Sequence, residues 1–250
     1  MELFSLEGKY AVVTGVSRGL GRAMALALAG AGADIVGVGI HDMGGTATEI
    51  AALGRRFVPV RADFSRPEEA AAAAEKAIAA FGRADILVNN AGLTPIHPAE
   101  EYPVSDFDLV MDVNVKALFL LTQRIGAHMI ANRYGRIVNI CSVQSVKGGQ
   151  LVCAYVASKH AVAGLTRAFA NEWGGYGVTV NGIAPGFMVT DNTAQLRAQT
   201  QTAAAVTAQI PAGRWGAPED LMGPVVFLAS ESARYVNGHL LVVDGGYLNN

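Results

Sequence analysis

A strand, a glycine-rich turn and a helix follow one another near the start of the chain, and this order restricts the fold more than any other feature. The apolar stretch Tyr10–Thr14 predicts a buried strand, glycines stand at positions 15, 19 and 21, and the alanine-rich stretch 22–31 predicts a helix. In such a turn the backbone amides at the helix N-terminus can approach and stabilise a pyrophosphate. The spacing is G-x-x-x-G-x-G rather than the commoner G-x-G-x-x-G, so a turn without a ligand also fits. The pattern predicts an α/β fold with a dinucleotide site at its first turn.

The same turn also spells G-x-S-x-G, the nucleophile elbow of α/β-hydrolases, with Ser17 at its centre. In that fold other strands precede the elbow, and the loop after one of them supplies part of the oxyanion hole. Here the turn follows the first strand, so a serine hydrolase is a distant alternative. A dinucleotide-binding regulator without turnover is a second alternative, against which the candidate catalytic residues argue.

The composition favours one domain over residues 1–250. Hydrophobic residues make up 51% of the chain and charged residues 16%, and the expected strands are mostly continuous apolar runs, which is typical of a parallel sheet covered on both faces. The net charge of −2 gives no electrostatic reason to expect a nucleic acid or an anionic membrane as partner. We expect a cytoplasmic protein, because the sequence has neither a signal segment nor an apolar stretch long enough to span a bilayer. The only cysteines, Cys141 and Cys153, lack metal-ligand spacing, so we expect reduced thiols and no metal site.

Residues after the second and third strands bear on cofactor choice. The second predicted strand, Asp34–Ile40, ends where dinucleotide-binding domains commonly hold an acidic residue against the adenosine ribose. This chain has Gly39 there, so no carboxylate repels a 2′-phosphate, and Arg18 in the glycine turn offers such a phosphate a partner. After the third strand, Phe57–Arg61, the carboxylate of Asp63 fits two roles equally well: an acceptor for the adenine amino group, or a cap of the next helix.

A hydroxyl, a phenol and an ammonium group occur close together in the second half of the sequence. Ser142 ends a predicted buried strand that begins at Arg136, Tyr155 opens a predicted helix, and Lys159 lies four residues beyond the tyrosine. On a helix this spacing puts the phenol and the ammonium on one face, where the cation favours the phenolate and pulls the tyrosine pKa towards neutrality. Such a pair suits proton exchange with an alcohol or a ketone. By itself, Tyr-x-x-x-Lys more often describes a half-buried aromatic residue beside a solvated charge.

Together these motifs resemble those of the short-chain dehydrogenase/reductase family over essentially the whole chain. The matching residues are Thr14, Gly15, Gly19 and Gly21, the run Asn89–Gly92, Asn114, Ser142, Tyr155, Lys159 and the pair Pro185–Gly186. The resemblance implies a single Rossmann-type doubly wound α/β domain with a seven-stranded parallel sheet flanked by helices. It implies that Tyr155 is the catalytic acid–base, that Ser142 orients the substrate carbonyl, and that Lys159 binds the nicotinamide ribose and tunes the tyrosine. Asn114, within the predicted helical region Ser105–Asn132, then holds a proton-relaying water, unless its amide only joins two strands by hydrogen bonds.

The same resemblance implies a nicotinamide cofactor. Arg18 and the non-acidic Gly39 match NADP-using members of the family, so we expect both NAD(H) and NADP(H) to work, with a slight preference for NADP(H). The expected cofactor contacts are Gly15, Ser17, Arg18, Gly19, Leu20, Gly21, Ile40, Asp63, Phe64, Asn90, Ala91, Gly92, Tyr155, Lys159, Pro185, Gly186, Met188 and Thr190. The hydrophobic edge strand Leu240–Gly246 lies at a subunit interface in the family, which implies a homotetramer.

A narrower resemblance concerns the segment of about 187–214, whose weak periodicity predicts a mobile lid over the substrate. The runs in and around it, Asn192–Arg197, Ile210–Gly216 and Asp220–Ser230, together with Phe4–Gly8, resemble those of bacterial 2-dehydro-3-deoxy-D-gluconate 5-dehydrogenases, also known as 2-deoxy-D-gluconate 3-dehydrogenases. The resemblance implies a keto sugar acid as substrate, with a 3-oxoacyl or general ketone reductase of the same family as the alternative. Where those enzymes carry basic residues, the stretch Leu93–Pro98 has only His97. The candidate substrate contacts are His97, Gln144, Lys147, Gln150, Arg197 and Arg214, of which the lysine and the arginines are candidate carboxylate ligands.

Overall fold

A seven-stranded parallel sheet forms the centre of the computed structural model, which describes residues 2–249. The strands are β1 (Tyr10–Thr14), β2 (Asp34–Gly39), β3 (Phe57–Arg61), β4 (Ile86–Asn89), β5 (Gly135–Ile140), β6 (Val178–Pro185) and β7 (Leu240–Val243). Their order across the sheet is β3-β2-β1-β4-β5-β6-β7, and every neighbouring pair is parallel. The predicted doubly wound α/β fold is confirmed.

Helices cover both faces of the sheet. They are α1 (Gly19–Gly30), α2 (Gly44–Ala52), α3 (Glu68–Phe81), α4 (Val104–Met111), α5 (Leu118–Ala131), α6 (Cys153–Trp173), α7 (Ala194–Ala198), α8 (Thr200–Ala208) and α9 (Met222–Ala229). One apolar cluster joins α1 and α9 to the sheet through residues such as Leu28 and Val225, and a second joins α3 and α5 through residues such as Ala74 and Ile125. The strands β4, β5 and β6 consist entirely of buried residues, which explains their continuous apolar sequences. No helix among the described residues is both long enough and apolar enough to cross a membrane.

The order of strands reverses between β1 and β4, and the two expected cofactor motifs meet at this point. Thr14 ends β1, and its hydroxyl oxygen accepts hydrogen bonds from the backbone amides of Asn90 and Ala91, each at 2.9 Å. The side-chain amide of Asn90 donates to the Thr14 carbonyl at 2.9 Å. In doubly wound sheets, ligands bind in the crevice at the carboxyl ends of the strands where the order reverses. The fold therefore places the glycine turn and Asn89–Gly92 on the two sides of one crevice.

The predicted helical region Ser105–Asn132 is continuous, but its pitch changes at Asn114. Helix α4 passes into a π-helical segment, Asp112–Ala117, and this segment passes into α5. A π-helical turn adds one residue to the usual α-helical repeat. The wider turn accommodates a buried Asn114 whose amide bonds to the loop after β4, while Val113 and Ala117 remain in the apolar core.

The segment 187–214 contains more regular structure than its sequence predicts. Helices α7 and α8 occupy much of it, and a short 3₁₀ turn, Asp191–Thr193, precedes them. Neither helix has a buried residue, so few apolar contacts hold this part of the chain to the domain. The weak periodicity therefore reflects exposure on all sides rather than an absence of helix. That this segment moves as a lid stays a prediction.

Candidate active site

The glycine turn forms a cradle that only glycine permits. Gly15 and Gly19 have φ angles of 71° and 54°, in the left-handed region. A Cβ atom at Gly21 would overlap the carbonyl oxygen of Gly15 and lie 2.5 Å from Nδ2 of Asn90. Helix α1 begins here, and Arg18 at its N-cap position makes no capping hydrogen bond through its side chain. The first amides of α1 thus lack a side-chain cap, and these residues fit the pyrophosphate of a dinucleotide.

The adenosine end of the crevice has space and an exposed cation. A Cβ atom at Gly39 would be 4.0 Å from the backbone of Gly15, so a larger residue fits at this position. The guanidinium of Arg18 lies 3.4 Å from the carboxylate of Asp191, and both side chains are mostly exposed. Arg18 is therefore on the correct turn for a 2′-phosphate, but a residue at the start of the 187–214 segment competes for it.

Asp63 stabilises its own turn. Its Oδ1 accepts hydrogen bonds from the Ser65 hydroxyl at 2.7 Å and from the Ser65 backbone amide at 2.9 Å, and these bonds hold the pKa of Asp63 below its usual range. The carboxylate does not cap α3, whose N-cap residue is Pro67. The neighbouring Phe64 is buried and Ile40 is exposed. The second carboxylate oxygen lies 3.9 Å from Arg66 Nε, and a contact of Asp63 with adenine stays a prediction.

Ser142 presents a hydroxyl group with its proton unused. Its Oγ accepts a hydrogen bond from the Gln144 amide at 3.1 Å, and its own backbone amide donates to Ser145 Oγ at 3.2 Å. Ser145 Oγ in turn donates to the carbonyl of Lys159 at 2.8 Å, which ties this turn to α6. Among residues 2–249, no acceptor receives the Ser142 hydroxyl hydrogen. This hydroxyl is thus held in one place and can donate to a substrate carbonyl.

The predicted face shared by Tyr155 and Lys159 is present. Both lie in the first turns of α6, where Tyr155 is half-buried and Lys159 is only 5% exposed. The Lys159 ammonium lies 5.5 Å from the centre of the tyrosine ring and donates to the Ile140 carbonyl at 2.6 Å. Two of its three N–H groups remain for a ribose or a phenolate. A buried ammonium with no acidic partner in the described chain is costly to keep, which favours a functional role.

Asn114 is fully engaged as a clamp between three segments. Its Nδ2 donates to the Leu93 carbonyl at 3.0 Å and to Ser158 Oγ at 3.1 Å, and its Oδ1 accepts from the Leu93 amide at 3.0 Å. These contacts match the alternative in which the amide joins segments by hydrogen bonds, here a loop and a helix rather than two strands. Ser158 also donates to the Tyr155 carbonyl, so this set of hydrogen bonds connects Asn114 to the turn of α6 that carries Tyr155. A water relay through Asn114 stays a prediction.

The chain after β6 closes the nicotinamide side of the crevice. The amide of Gly186 donates to the Val243 carbonyl at 2.9 Å, and a Cβ atom there would come within 2.8 Å of Asp244. Met188 is buried, and Thr190 lies beside the glycine turn, since its Cγ2 would be 3.9 Å from a Cβ at Gly19. The segment Pro185–Thr190 therefore spans from the end of the sheet to the glycine turn.

Three of the candidate substrate residues have other partners. Arg214 forms a bidentate pair with Asp220, at 2.7 and 2.9 Å, and this pairing lowers the pKa of Asp220 to about 2. His97 Nε2 lies 2.7 Å from the carboxylate of Asp106. Arg197 donates to the Thr190 carbonyl and to the Thr193 hydroxyl. The fork of Arg214 is thus occupied by Asp220 in this structure, and its role as a carboxylate ligand stays a prediction.

The other candidates lie in the turn after Ser142. Lys147 donates to the Tyr247 hydroxyl at 3.3 Å. Gln144 has a buried amide oxygen with no hydrogen-bond partner in the described structure, and Gln150 is exposed. Tyr247 was missed from the sequence, because nothing near the C-terminus marks it as part of a site. Thr14, in contrast, could be assigned to the site from the sequence, because it lies at the end of the first strand, directly before the glycine turn.

The serine-hydrolase alternative has no support in this geometry. Within the described residues, Ser17 forms no hydrogen bond with a histidine, as a hydrolase nucleophile would require. No group of three or more His, Cys, Asp or Glu residues that could hold a metal occurs in the same part of the chain. A crevice at the reversal of strand order, a glycine cradle and the Ser142, Tyr155 and Lys159 groups define a dinucleotide-dependent oxidoreductase.

The chain belongs to the short-chain dehydrogenase/reductase family. A family model described as enoyl-(acyl carrier protein) reductase matches residues 15–248. The 2-dehydro-3-deoxy-D-gluconate 5-dehydrogenase of Escherichia coli is 51% identical over 249 residues, covering 99% of this chain and 98% of the relative.

Solved structures of dehydrogenases with the same fold support this family assignment. One from Beutenbergia cavernae, described as an NAD(P)-dependent gluconate 5-dehydrogenase with bound NADP at low occupancy, is 51% identical, has a TM-score of 0.96, and is matched over 99% of this chain and 100% of that chain. A gluconate 5-dehydrogenase from Burkholderia cenocepacia, in complex with NADP and tartrate, is 36% identical with a TM-score of 0.94, matched over 100% and 98%.

Proposed function

We propose that the protein interconverts a secondary alcohol and a ketone on a keto sugar acid, using NADP(H) or NAD(H) with a slight preference for NADP(H). The observation that carries this proposal is the arrangement of three groups at one end of the crevice: a fixed hydroxyl of Ser142 with a free proton, the Tyr155 phenol, and the buried Lys159 ammonium.

Each group has a task in the reduction of a ketone. Ser142 donates a hydrogen bond to the carbonyl oxygen and fixes its position. The Tyr155 hydroxyl gives its proton to the same oxygen as charge develops there, and takes it back in the oxidation direction. Lys159, which the Ile140 carbonyl orients, stabilises the phenolate that remains and offers its other N–H groups to the ribose. When bound, the nicotinamide supplies or accepts the hydride.

The preference for NADP(H) rests on the adenosine end of the crevice. With glycine at position 39 there is no carboxylate to repel a 2′-phosphate, and Arg18 is on the adjacent turn. Relatives of known structure that bind NADP support this preference. The exposure of Arg18 limits the benefit, because a solvated guanidinium–phosphate contact contributes little.

The proposed substrate class follows the relatives that are 2-dehydro-3-deoxy-D-gluconate and gluconate dehydrogenases. The Burkholderia cenocepacia relative is itself a gluconate 5-dehydrogenase, solved in complex with NADP and tartrate. We further propose a cytoplasmic homotetramer. The edge strand β7, with Val242 42% exposed, and α4, with Val104 74% exposed, offer apolar surface for subunit contacts.

The function is tested by mixing purified protein with each cofactor and a panel of sugar acids and neutral ketones, and following the absorbance of the reduced nicotinamide. We expect turnover of sugar acids and a loss of about 10²–10⁴-fold in kcat for Tyr155→Phe, since only the proton-transferring hydroxyl is removed. Unchanged cofactor binding by the variant is the control for its fold. Turnover of neutral ketones alone would contradict the substrate class, and an active Tyr155→Phe would contradict the mechanism.

A further inference from the structure

Most basic side chains around the crevice are already neutralised by carboxylates. The pairs are Arg18 with Asp191 at 3.4 Å, His97 with Asp106 at 2.7 Å, and Arg214 with Asp220 at 2.7 Å. Within the described part of the chain, Lys147 and Arg197 form no ion pair. A carboxylate substrate needs a cation whose charge is not already spent, so only these two of the candidate residues qualify.

The hydrogen bonds of these two cations differ in kind. Arg197 donates through Nε to the Thr193 hydroxyl at 3.3 Å and through a terminal nitrogen to the Thr190 carbonyl at 3.1 Å. It therefore fastens the turn before α7 to its own helix. Within the described residues Lys147 makes one hydrogen bond, to the Tyr247 hydroxyl, which leaves two N–H groups and the whole charge available. Its ammonium also lies 4.4 Å from the centre of that ring, which holds it at the phenol.

The position of this pair is set by groups of the active site. Tyr247 is 9% exposed, packs edge to face on Phe187 at 5.1 Å, and shares an apolar cluster with Val143. Val143 directly follows Ser142, and Phe187 directly follows the Pro185-Gly186 pair. The Lys147 amide donates to the Val143 carbonyl at 3.2 Å, so the lysine begins about 6 Å beyond Val143, one helical turn. Lys147 itself is exposed, and its ammonium reaches the Val143 and Phe187 cluster through the Tyr247 hydroxyl.

We propose that Lys147 and Tyr247 form the binding site for the carboxylate of the substrate and so determine specificity for acids over neutral ketones. This inference rests on the proposed function of the protein as an oxidoreductase of sugar acids. The ammonium donates two hydrogen bonds to the carboxylate, and the phenol, whose oxygen already accepts from Lys147, donates a third. A sugar acid with its ketone at Ser142 and Tyr155 extends its carboxylate several carbons away, towards the turn that carries Lys147. The C-terminal segment is then part of the active site.

The test compares each acid that the wild type turns over with the methyl ester of the same acid, which lacks the charge. Lys147→Met should raise KM for the acid about 10–100-fold and leave the ester unchanged, since one charged partner is lost in binding. Lys147→Arg should keep most of the preference for the acid, and Tyr247→Phe should raise KM for the acid by about 2–10-fold. Lys76→Met, which removes an exposed lysine of α3, is the matched control and should leave KM unchanged for both the acid and the ester.

The outcomes separate the two proposals. Wild-type protein that ignores every acid overturns the proposed substrate class, and this inference with it. Wild-type protein that uses acids, combined with a Lys147→Met variant of unchanged KM, overturns only the carboxylate site. An equal loss for acid and ester would mean that the lysine supports the fold of its turn, and it would overturn the assignment too. If Arg197→Met, rather than Lys147→Met, raises KM for the acid, the carboxylate binds at α7 and the assignment to Lys147 is overturned as well.

Discussion

Replacing Gly21 by alanine tests how tightly the glycine turn is built. The added Cβ would overlap the carbonyl oxygen of Gly15, lie 2.8 Å from its carbonyl carbon, and lie 2.5 Å from Nδ2 of Asn90. Two of these atoms are backbone, so no change of rotamer relieves the overlap and the turn has to open. The Asn90 amide, which bonds to the Thr14 carbonyl at 2.9 Å, is displaced as well.

The expected loss of stability follows from the steric overlap and from the weakened hydrogen bond of Asn90. Forcing a methyl group into a tightly packed site costs about 1–3 kcal/mol. Weakening one partly buried hydrogen bond adds about 1 kcal/mol. The free energy of unfolding should therefore fall by about 2–4 kcal/mol, measured by urea denaturation. The turn that opens is the expected pyrophosphate cradle, so the Kd for NADPH should rise at least about tenfold in a fluorescence titration.

Gly30→Ala is the matched control in the same helix. A Cβ at position 30 would meet no heavy atom within 4 Å. This variant should be neutral or up to about 1 kcal/mol more stable, because alanine favours helix over glycine, and it should bind NADPH like the wild type. The reasoning is refuted if Gly21→Ala matches Gly30→Ala in both stability and NADPH affinity, since the predicted overlap would then not exist.

Three further predictions concern charges. Lys159→Met should shift the pH optimum of alcohol oxidation upward and weaken cofactor binding, measured as a pH–rate profile; an unchanged profile with residual activity would count against the coupling to the phenol. Arg18→Ala should weaken NADP(H) binding selectively and Gly39→Asp should turn the preference to NAD(H), compared as kcat/KM for both cofactors; the idea fails if the wild type uses NAD(H) about tenfold better. Arg214 lowers the pKa of Asp220 from 3.8 to about 2. The ion pair therefore contributes its full stability above a pH of 3.8, and this contribution is lost as the pH falls from 3.8 to about 2. Arg214→Met should thus be only slightly less stable than the wild type towards urea at neutral pH, because the pair is exposed, and a difference from the wild type that persists at the acid end would contradict this assignment.

The sequence by itself determined the fold and the group of catalytic candidates. Continuous apolar runs and a glycine turn are local signals, and the predicted strands Tyr10–Thr14 and Phe57–Arg61 match the structure residue for residue. Tyr155 and Lys159 lie four residues apart on α6, so their spacing alone placed them on one face, whereas the hydrogen bond from Ser145 to the Lys159 carbonyl ties the turn of Ser142 to that helix. A helix repeats every few residues, and such a short stretch leaves little freedom for its side chains to separate.

Only the tertiary structure decided which charges remain free. The partner of Arg18 lies at the start of the 187–214 segment, and Lys147 meets a phenol 100 positions further along the chain. The π-helical turn at Asn114 depends on Leu93 and Ser158 in the same way. Pairing of this kind depends on how the packed sheet and helices bring distant segments to one place, and no local pattern of residues encodes that distance. The sequence therefore gives the reacting groups, whereas the surroundings that choose a substrate emerge only from packing.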